Sequence, residues 1–275
     1  MSNRQTEMTL SLEGIDALQE WLYARGRSAN TTKAYCSDLL RFLEAIQTPT
    51  VTAEELEDLG LSWLQVNRNK VSPRTTLRRL TSLRTWARFA GVTAFEEYYG
   101  PTPLKTMPHP LPGGIEDVYK LLEVANKEQH KALIAQCGLM GMRVSESLAA
   151  TPSWYNVAER TCTIRGKRDK ERIVPVSSLA WDYIQIPLTV AWLEGHRIIQ
   201  FEDRFARQLI TNLGVRAGLK RSISSHDLRS TFATHVNNTT NNIRLVQELL
   251  GHESLNTTQM YTAVFLEDAR KAVEF

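Results

Sequence analysis

Between Gly100 and Gly114 the chain reads GPTPLKTMPHPLPGG, and this stretch holds half of its ten prolines. Proline fixes φ and removes a backbone donor, so such a run neither continues a helix nor joins the middle of a sheet. It stays extended and semi-rigid. A chain of 275 residues interrupted there leaves two pieces, each long enough to bury a core of its own. The expected organisation is a domain over residues 1–100, a Pro-rich linker over 101–113 and a second domain over 114–275.

The first piece carries a helical period throughout. Ile15, Leu18 and Leu22 share one face; Tyr35, Leu39, Phe42 and Ile46 follow the cap-like run Ser28 to Thr32; Trp63 and Leu64, then Leu77, Leu80 and Leu83, continue the pattern. A small helical bundle follows from it. In its last helix, Ser72 suits an N-cap and Pro73 a first turn. From Leu59 to Phe95 there is no Asp or Glu, yet Arg68, Lys70, Arg74, Arg78, Arg79, Arg84 and Arg88 all fall there. Like charges so dense repel one another unless water or a polyanion faces them, so the segment reads either as a solvated basic face or as a nucleic-acid surface.

The second piece begins and ends helical. Val118 to Ala150 and the region from Phe201 onward keep the helical pattern, while TCTIRGKRDKERIVPV (161–176) places two short β-prone runs around a polar turn that starts at Gly166. The fold class expected is mainly α with a small β-sheet: a helical bundle, then a mixed α+β domain. No window approaches the ~18 apolar residues of a spanning helix, and MSNRQTEM has no apolar core of a secretory signal. Three widely spaced cysteines, Cys36, Cys137 and Cys162, form no C-x-x-C pair and suit reduced thiols in the cytoplasm. The net charge of +3 decides nothing.

Several polar features of the second piece are more than a core needs. GMRVSES sets Arg143 and Glu146 three apart on one helical face; alone it is an ordinary ion pair. The hairpin turn carries Lys167 with Arg168, Lys170 and Arg172 around it, and alone it is a solvated turn. SSHDLRSTFATH puts His226 and Arg229 on one face, and LLGHESLNTTQMY ends a helix in Gly251-His252 and reaches Tyr261 in a Thr-rich setting. A zinc helix of H-E-x-x-H form needs a histidine at 256, where Asn256 stands, and neither G-x-x-x-x-G-K-[ST] nor G-x-G-x-x-G occurs. Neither metal nor nucleotide cofactor is expected.

Taken in order, Arg143, Lys167, His226, Arg229, His252 and Tyr261 resemble the active-site signature of the tyrosine recombinase (phage integrase) family. GMRVSES resembles its G-[LM]-R-x-S-E, RGKRDKER its G-K-G-x-K-x-R turn, HDLRSTFATH its H-x-L-R-x-[TS]-x-A-T-H, and LLGHESLNTTQMY its L-G-H-x-S-x-x-T-T-x-x-Y box. SANTTKAYCSDLLRFLEAI is similar to the family's DNA core-binding helix, so the resemblance covers nearly the whole chain. It implies that Tyr261 attacks a DNA phosphodiester and leaves a 3′-phosphotyrosyl bond and a free 5′-hydroxyl, with no cofactor. Arg143 and Arg229 hold the phosphate, His226 assists Tyr261, Lys167 protonates the departing 5′-oxygen, His252 donates to a phosphate oxygen, and Glu146 supports the Arg143 and His226 side. The side-chain types fit: two forked guanidiniums match a phosphodiester that gains charge under attack, and a phenol of pKa about 10 needs a base or a positive field.

The implied partners are double-stranded DNA and other copies of the chain, as a homotetramer on synapsed sites and a monomer or weak oligomer when free, with no membrane and a cytoplasmic, nucleoid-associated location. A phage or mobile-element integrase of the compact two-domain form, with no room for an arm-binding domain, is the expectation. Arg168 departs from the family's usual Gly, Ser230 from a frequent second His, and Trp181 to Phe205 is shorter than the pattern; none removes a catalytic residue. An architectural DNA-binding protein and a supercoil-relaxing enzyme are the alternatives. The tail LEDARKAVEF has Leu266, Ala269 and Val273 at helical spacing, and either closes its own domain or, as the resemblance implies, docks on a neighbouring protomer.

Overall fold

The computed structural model describes residues 8–9, 12–47, 50–51, 53–102, 109–166, 171–251 and 263–274. The chain divides into two compact units, Met1–Thr106 and Met107–Phe275. Both are mainly helical, and the second adds a small antiparallel sheet.

In the first unit α1 (Leu12–Ala24), α2 (Ala29–Ile46), α3 (Ala53–Val66) and α4 (Pro73–Phe89) form the bundle, and the two-residue strands β1 (Met8–Thr9) and β2 (Thr50–Val51) pair antiparallel. Ser28 caps α2 by accepting from the Thr31 amide, and Ser72 caps α4 by accepting from the Thr75 amide with Pro73 in the first turn; each such cap is worth about 1 kcal/mol. Leu18, Leu22, Leu39, Phe42, Leu80, Leu83, Trp86 and Phe95 make the fully buried centre. Gly60 is required there, because a Cβ on it would come within 2.6 Å of the Phe95 ring.

The basic segment is not one outward face. Arg79 is buried, its guanidinium over the Trp63 ring at 4.7 Å. Arg84 turns back to donate to the carbonyls of Phe95 and Tyr98, which holds Phe95 in its left-handed conformation. Arg78 is partly exposed, but its fork closes on the buried Asp38 of α2 at 2.8 and 2.9 Å. Arg68, Lys70, Arg74 and Arg88 remain fully outward. The segment read as a solvated basic face or a nucleic-acid surface thus keeps these four and the partly exposed Arg78 outward, while Arg79 is buried near Asp38 and Arg84 is turned onto backbone carbonyls.

The second unit contains α5 (Ile115–Val124), α6 (Glu128–Gly138), α7 (Val144–Ala149), a 3₁₀ turn (Pro152–Trp154), the sheet β3 (Tyr155–Asn156), β4 (Thr161–Arg165) and β5 (Glu171–Pro175), then α8 (Ser178–Glu194), α9 (Asp203–Arg216), α10 (Ser225–Thr240), α11 (Ile243–Leu250) and α12 (Ala263–Val273). Its core wraps α6, whose run Ala132 to Gly138 is buried on every side. The strand order is β3-β4-β5, with Cys162 opposite Val174 and Ile164 opposite Arg172. This unit starts before the linker ends: Leu111 is buried in its core, its amide donates to Thr231 Oγ1 at 2.8 Å, and Arg221 donates to the carbonyls of His109 and Pro110. The described second part of the Pro-rich run, from His109, is thus fastened to this unit. α12 packs on its own domain against α10 and β5, burying Ala269, Ala272 and Val273, while the Glu274 carboxylate accepts from the Ser178 amide at the start of α8.

Candidate active site

Glu146 is the centre of the site. It lies in the first turn of α7, nearly buried, and accepts from the Arg143 amide at 2.8 Å, which caps the helix, and from Arg143 Nη1 at 2.7 Å. The helix can start there because Gly141, just before, takes φ +65° and sits where a Cβ would come within 2.5 Å of the Phe232 ring. The Arg143 guanidinium leaves the helix start and is 40% exposed.

Arg229 approaches from α10. It is buried, donates to the carbonyls of Gly141 and Leu250, and holds Nη1 3.7 Å from Glu146 Oε2. The α10 start that orients it is built by reciprocal bonds between Ser224 and Asp227, with Arg221 donating to Asp227 at 2.9 Å. His226 lies in that first turn, exposed, one helical turn before Arg229. The structure therefore brings Arg143, Glu146 and Arg229 together and leaves His226 at the open end of the same helix.

A fourth member was not singled out in the sequence. Arg172 was read as part of a solvated turn, yet it lies on the inward face of β5 at 5% exposure and spans both Glu146 oxygens, Nη1 at 3.1 Å from Oε1 and Nη2 at 2.7 Å from Oε2. Its Nε donates to the Leu249 carbonyl at 2.8 Å. The available signal was register: Arg172 is two residues from Val174, so strand alternation puts both on one face.

Three guanidiniums around one carboxylate set the electrostatics. Burial alone would raise the Glu146 pKa, but the Arg172 hydrogen bonds and charge, with help from Arg143, hold it down at about 2. Burial, then the charges of Arg143 and Arg172, push Arg229 down to about 9. The cluster thus carries more positive than negative charge in a place poorly served by water, and an anion with paired oxygens would relieve it.

Lys167, His252 and Tyr261 lie outside the described residues, as do Arg168 and Lys170. The described residues bracket them: β4 and β5 are in register on either side of Lys167, Gly251 at the end of α11 precedes His252, and α12 begins two residues after Tyr261. Among the described residues no group of His, Cys, Asp and Glu is placed to hold a metal, and no helix is long and apolar enough to cross a membrane. Cys137 and Cys162 are buried free thiols, pushed up by burial to about 11 and about 12.

The model described as phage integrase family matches residues 115–267, and the one described as phage integrase, N-terminal SAM-like domain, matches residues 15–91. The tyrosine recombinase XerD of Brucella melitensis biotype 1 is 32% identical over 97% of this chain and 97% of its own length. Among solved structures, XerH site-specific recombinase bound to difH substrate in a pre-cleavage complex is 18% identical, covering 100% of this chain and 88% of that one with a TM-score of 0.65. A lambda integrase tetramer bound to a Holliday junction is 14% identical, covering 95% and 82%, with a TM-score of 0.73.

Proposed function

The chain belongs to the phage integrase family and is a tyrosine-type site-specific recombinase; from that premise we propose that Arg143, Lys167, His226, Arg229, His252 and Tyr261 form its active site on double-stranded DNA. The Tyr261 oxygen attacks the phosphodiester, a 3′-phosphotyrosyl bond forms, the bond to the 5′-oxygen breaks, and Lys167 supplies the proton that oxygen takes up. Arg143 and Arg229 hold the nonbridging oxygens, His252 donates to one of them, His226 assists the tyrosine, and Glu146 supports the arginines. Reversal by a 5′-hydroxyl rejoins the strand without a nucleotide, because the bond energy is kept in the linkage.

The observation that carries this reading is the charge-rich meeting of Arg143 and Arg229 over Glu146, in a unit whose sequence matches the family model. The first unit, matched by the N-terminal SAM-like model, is proposed to grip the core site through the outward cations Arg68, Lys70, Arg74 and Arg88, with Arg78 partly available. Tetramer assembly on two sites is proposed from the likeness to the junction-bound lambda integrase. Integration for a phage or mobile element is the finer sequence-based expectation, while the Xer-named relative matching 97% of both lengths favours a resolving role in the cytoplasm; mapping which paired sites the protein recombines in its host separates the two.

A duplex nicked next to the scissile bond traps the intermediate, since the released fragment diffuses away. Wild type is expected to accumulate a covalent protein–DNA species, and Tyr261→Phe to bind the same DNA without forming one. A covalent species persisting in Tyr261→Phe would overturn the assignment of the nucleophile.

A further inference from the structure

Resting on the reading of Arg143 and Arg229 as the phosphate-holding pair, we propose that Arg172 is a positioning residue that occupies Glu146 and so keeps that carboxylate from capturing the pair. The geometry of the cluster divides the work unevenly. Arg172 lies across both carboxylate oxygens and has its remaining Nε on the Leu249 carbonyl, so its whole fork points inward. Arg143 gives one guanidinium nitrogen to Glu146, and Arg229 reaches it only at 3.7 Å while its head rests on two carbonyls.

A carboxylate in a buried setting seeks bidentate partners, and a fork-to-fork guanidinium pair is the arrangement that satisfies it best. With Arg172 in place, neither of the other arginines can close such a fork. Take Arg172 away and each Glu146 oxygen loses one donor, leaving Arg143, already on Oε1 through Nη1, and Arg229 at 3.7 Å as the nearest guanidiniums to fill the freed positions. Either one folding onto it loses the edge that an incoming phosphate needs. Arg172 is not placed as a phosphate ligand in this arrangement, since Nη1 and Nη2 are on Glu146 and Nε is on the Leu249 carbonyl.

Charge counting gives the same answer by a separate route. Three guanidiniums against one carboxylate leave an excess of two positive charges among the described side chains. Loss of Arg172 leaves one, and loss of both Arg172 and the Glu146 charge restores two. The proposal therefore demands suppression: a defect made by removing Arg172 must be partly undone by neutralising Glu146. A purely structural arginine makes a different demand: neutralising the orphaned carboxylate then restores stability but not the cleavage rate of folded protein or its response to a phosphate-like anion.

The arginine also touches the chain that leads to His252. Gly251 takes φ +64°, and a Cβ there would stand 3.0 Å from Arg172 Cδ, so the end of α11 runs directly over the Arg172 stem. One side chain thus joins β5, the start of α7 and the end of α11. Lysine at this position keeps the charge, but its single ammonium cannot cover both oxygens and the Leu249 carbonyl together.

Four proteins are compared: wild type, Arg172→Met, Arg172→Lys and Arg172→Met with Glu146→Gln. Single-turnover cleavage of the nicked duplex should fall about 100-fold in Arg172→Met, the scale on which one lost oxyanion partner acts, while duplex affinity changes by less than about 3-fold because many other phosphate contacts remain. The double variant should regain about 10-fold of the lost rate, and Arg172→Lys, which retains charge and is the variant safest for folding, should lose about 10-fold. Inorganic sulfate provides a readout that does not depend on cleavage: its upward shift of the melting temperature should shrink in Arg172→Met and return in the double variant. Wild-type cleavage by Arg172→Lys, or a double variant slower than Arg172→Met with no return of the sulfate shift, overturns the proposal. If wild type forms no covalent species while the sulfate pattern holds, the assignment of Tyr261 and its partners as the cleaving site fails and the role of Arg172 stands.

Discussion

Glu146 keeps its charge where burial alone would favour the neutral acid, and this makes it a probe of the cluster. Its folded pKa of about 2 is below the ordinary 4.5, so the native state binds its proton less readily than the unfolded chain does. The sign follows: the contribution is fully present above about pH 4.5 and is lost as pH falls toward 2. At 1.36 kcal/mol per unit the difference is on the order of 3 kcal/mol. Urea midpoints taken between pH 6 and pH 3 should therefore fall more steeply for wild type than for Glu146→Gln, whose amide does not titrate. Parallel profiles would mean that the three arginines do not hold the carboxylate in its ionised form in solution. The same residue explains why Arg229 can be buried at all, because a guanidinium with no counter-charge in that position would leave its desolvation unopposed.

At the scale of elements, α2 and α4 repeat the theme with Asp38. This carboxylate is 1% exposed and takes the fork of Arg78, with Arg79 and Arg41 each at 3.9 Å. Asp38→Asn leaves Arg79 buried over Trp63 without a charge partner, and we expect the first unit, residues 1–106, to lose about 2 kcal/mol or more. A urea midpoint within error of wild type would place the pair among weak surface bridges instead. The two carboxylates also mark where sequence reading stops. Helical period and caps located α2 and α4, since Ser28 and Ser72 act through local chemistry, and the two β-prone runs pair antiparallel as β4 and β5. Which arginines turn inward is set by a partner far along the chain: Asp38 is 40 residues from Arg78, and Glu146 is 26 from Arg172. Local period cannot report such pairs. The motifs named Arg143, Glu146 and Arg229 as a group because the resemblance carried them; it included Arg172 as the last residue of its turn motif without giving it a role, and was silent on Arg221 and the fastening of Leu111.

The whole molecule is two units joined through the Pro-rich stretch, and its affinity for DNA should depend on both. Each unit offers outward cations of its own, among them Arg68, Lys70, Arg74 and Arg88 in the first and the half-exposed Arg143 head in the second. Covalent joining turns the second contact into an intramolecular one, with an effective concentration set by the length and stiffness of the connection. Residues 109–113 are held on the second unit, and a short connection favours simultaneous contact over independent binding. Most of the affinity should be electrostatic, so it falls steeply with salt, and the slope counts the phosphates engaged. Binding of a core-site duplex by residues 1–106, residues 107–275 and the whole chain, each at several salt concentrations, measures this directly. We expect the whole chain to bind at least about 100-fold more tightly than either part, and its salt slope to approach the combined slopes of the two parts. A whole chain no tighter than one part, with that part's slope, would mean that a single unit does the gripping and that the connection serves only to carry the other.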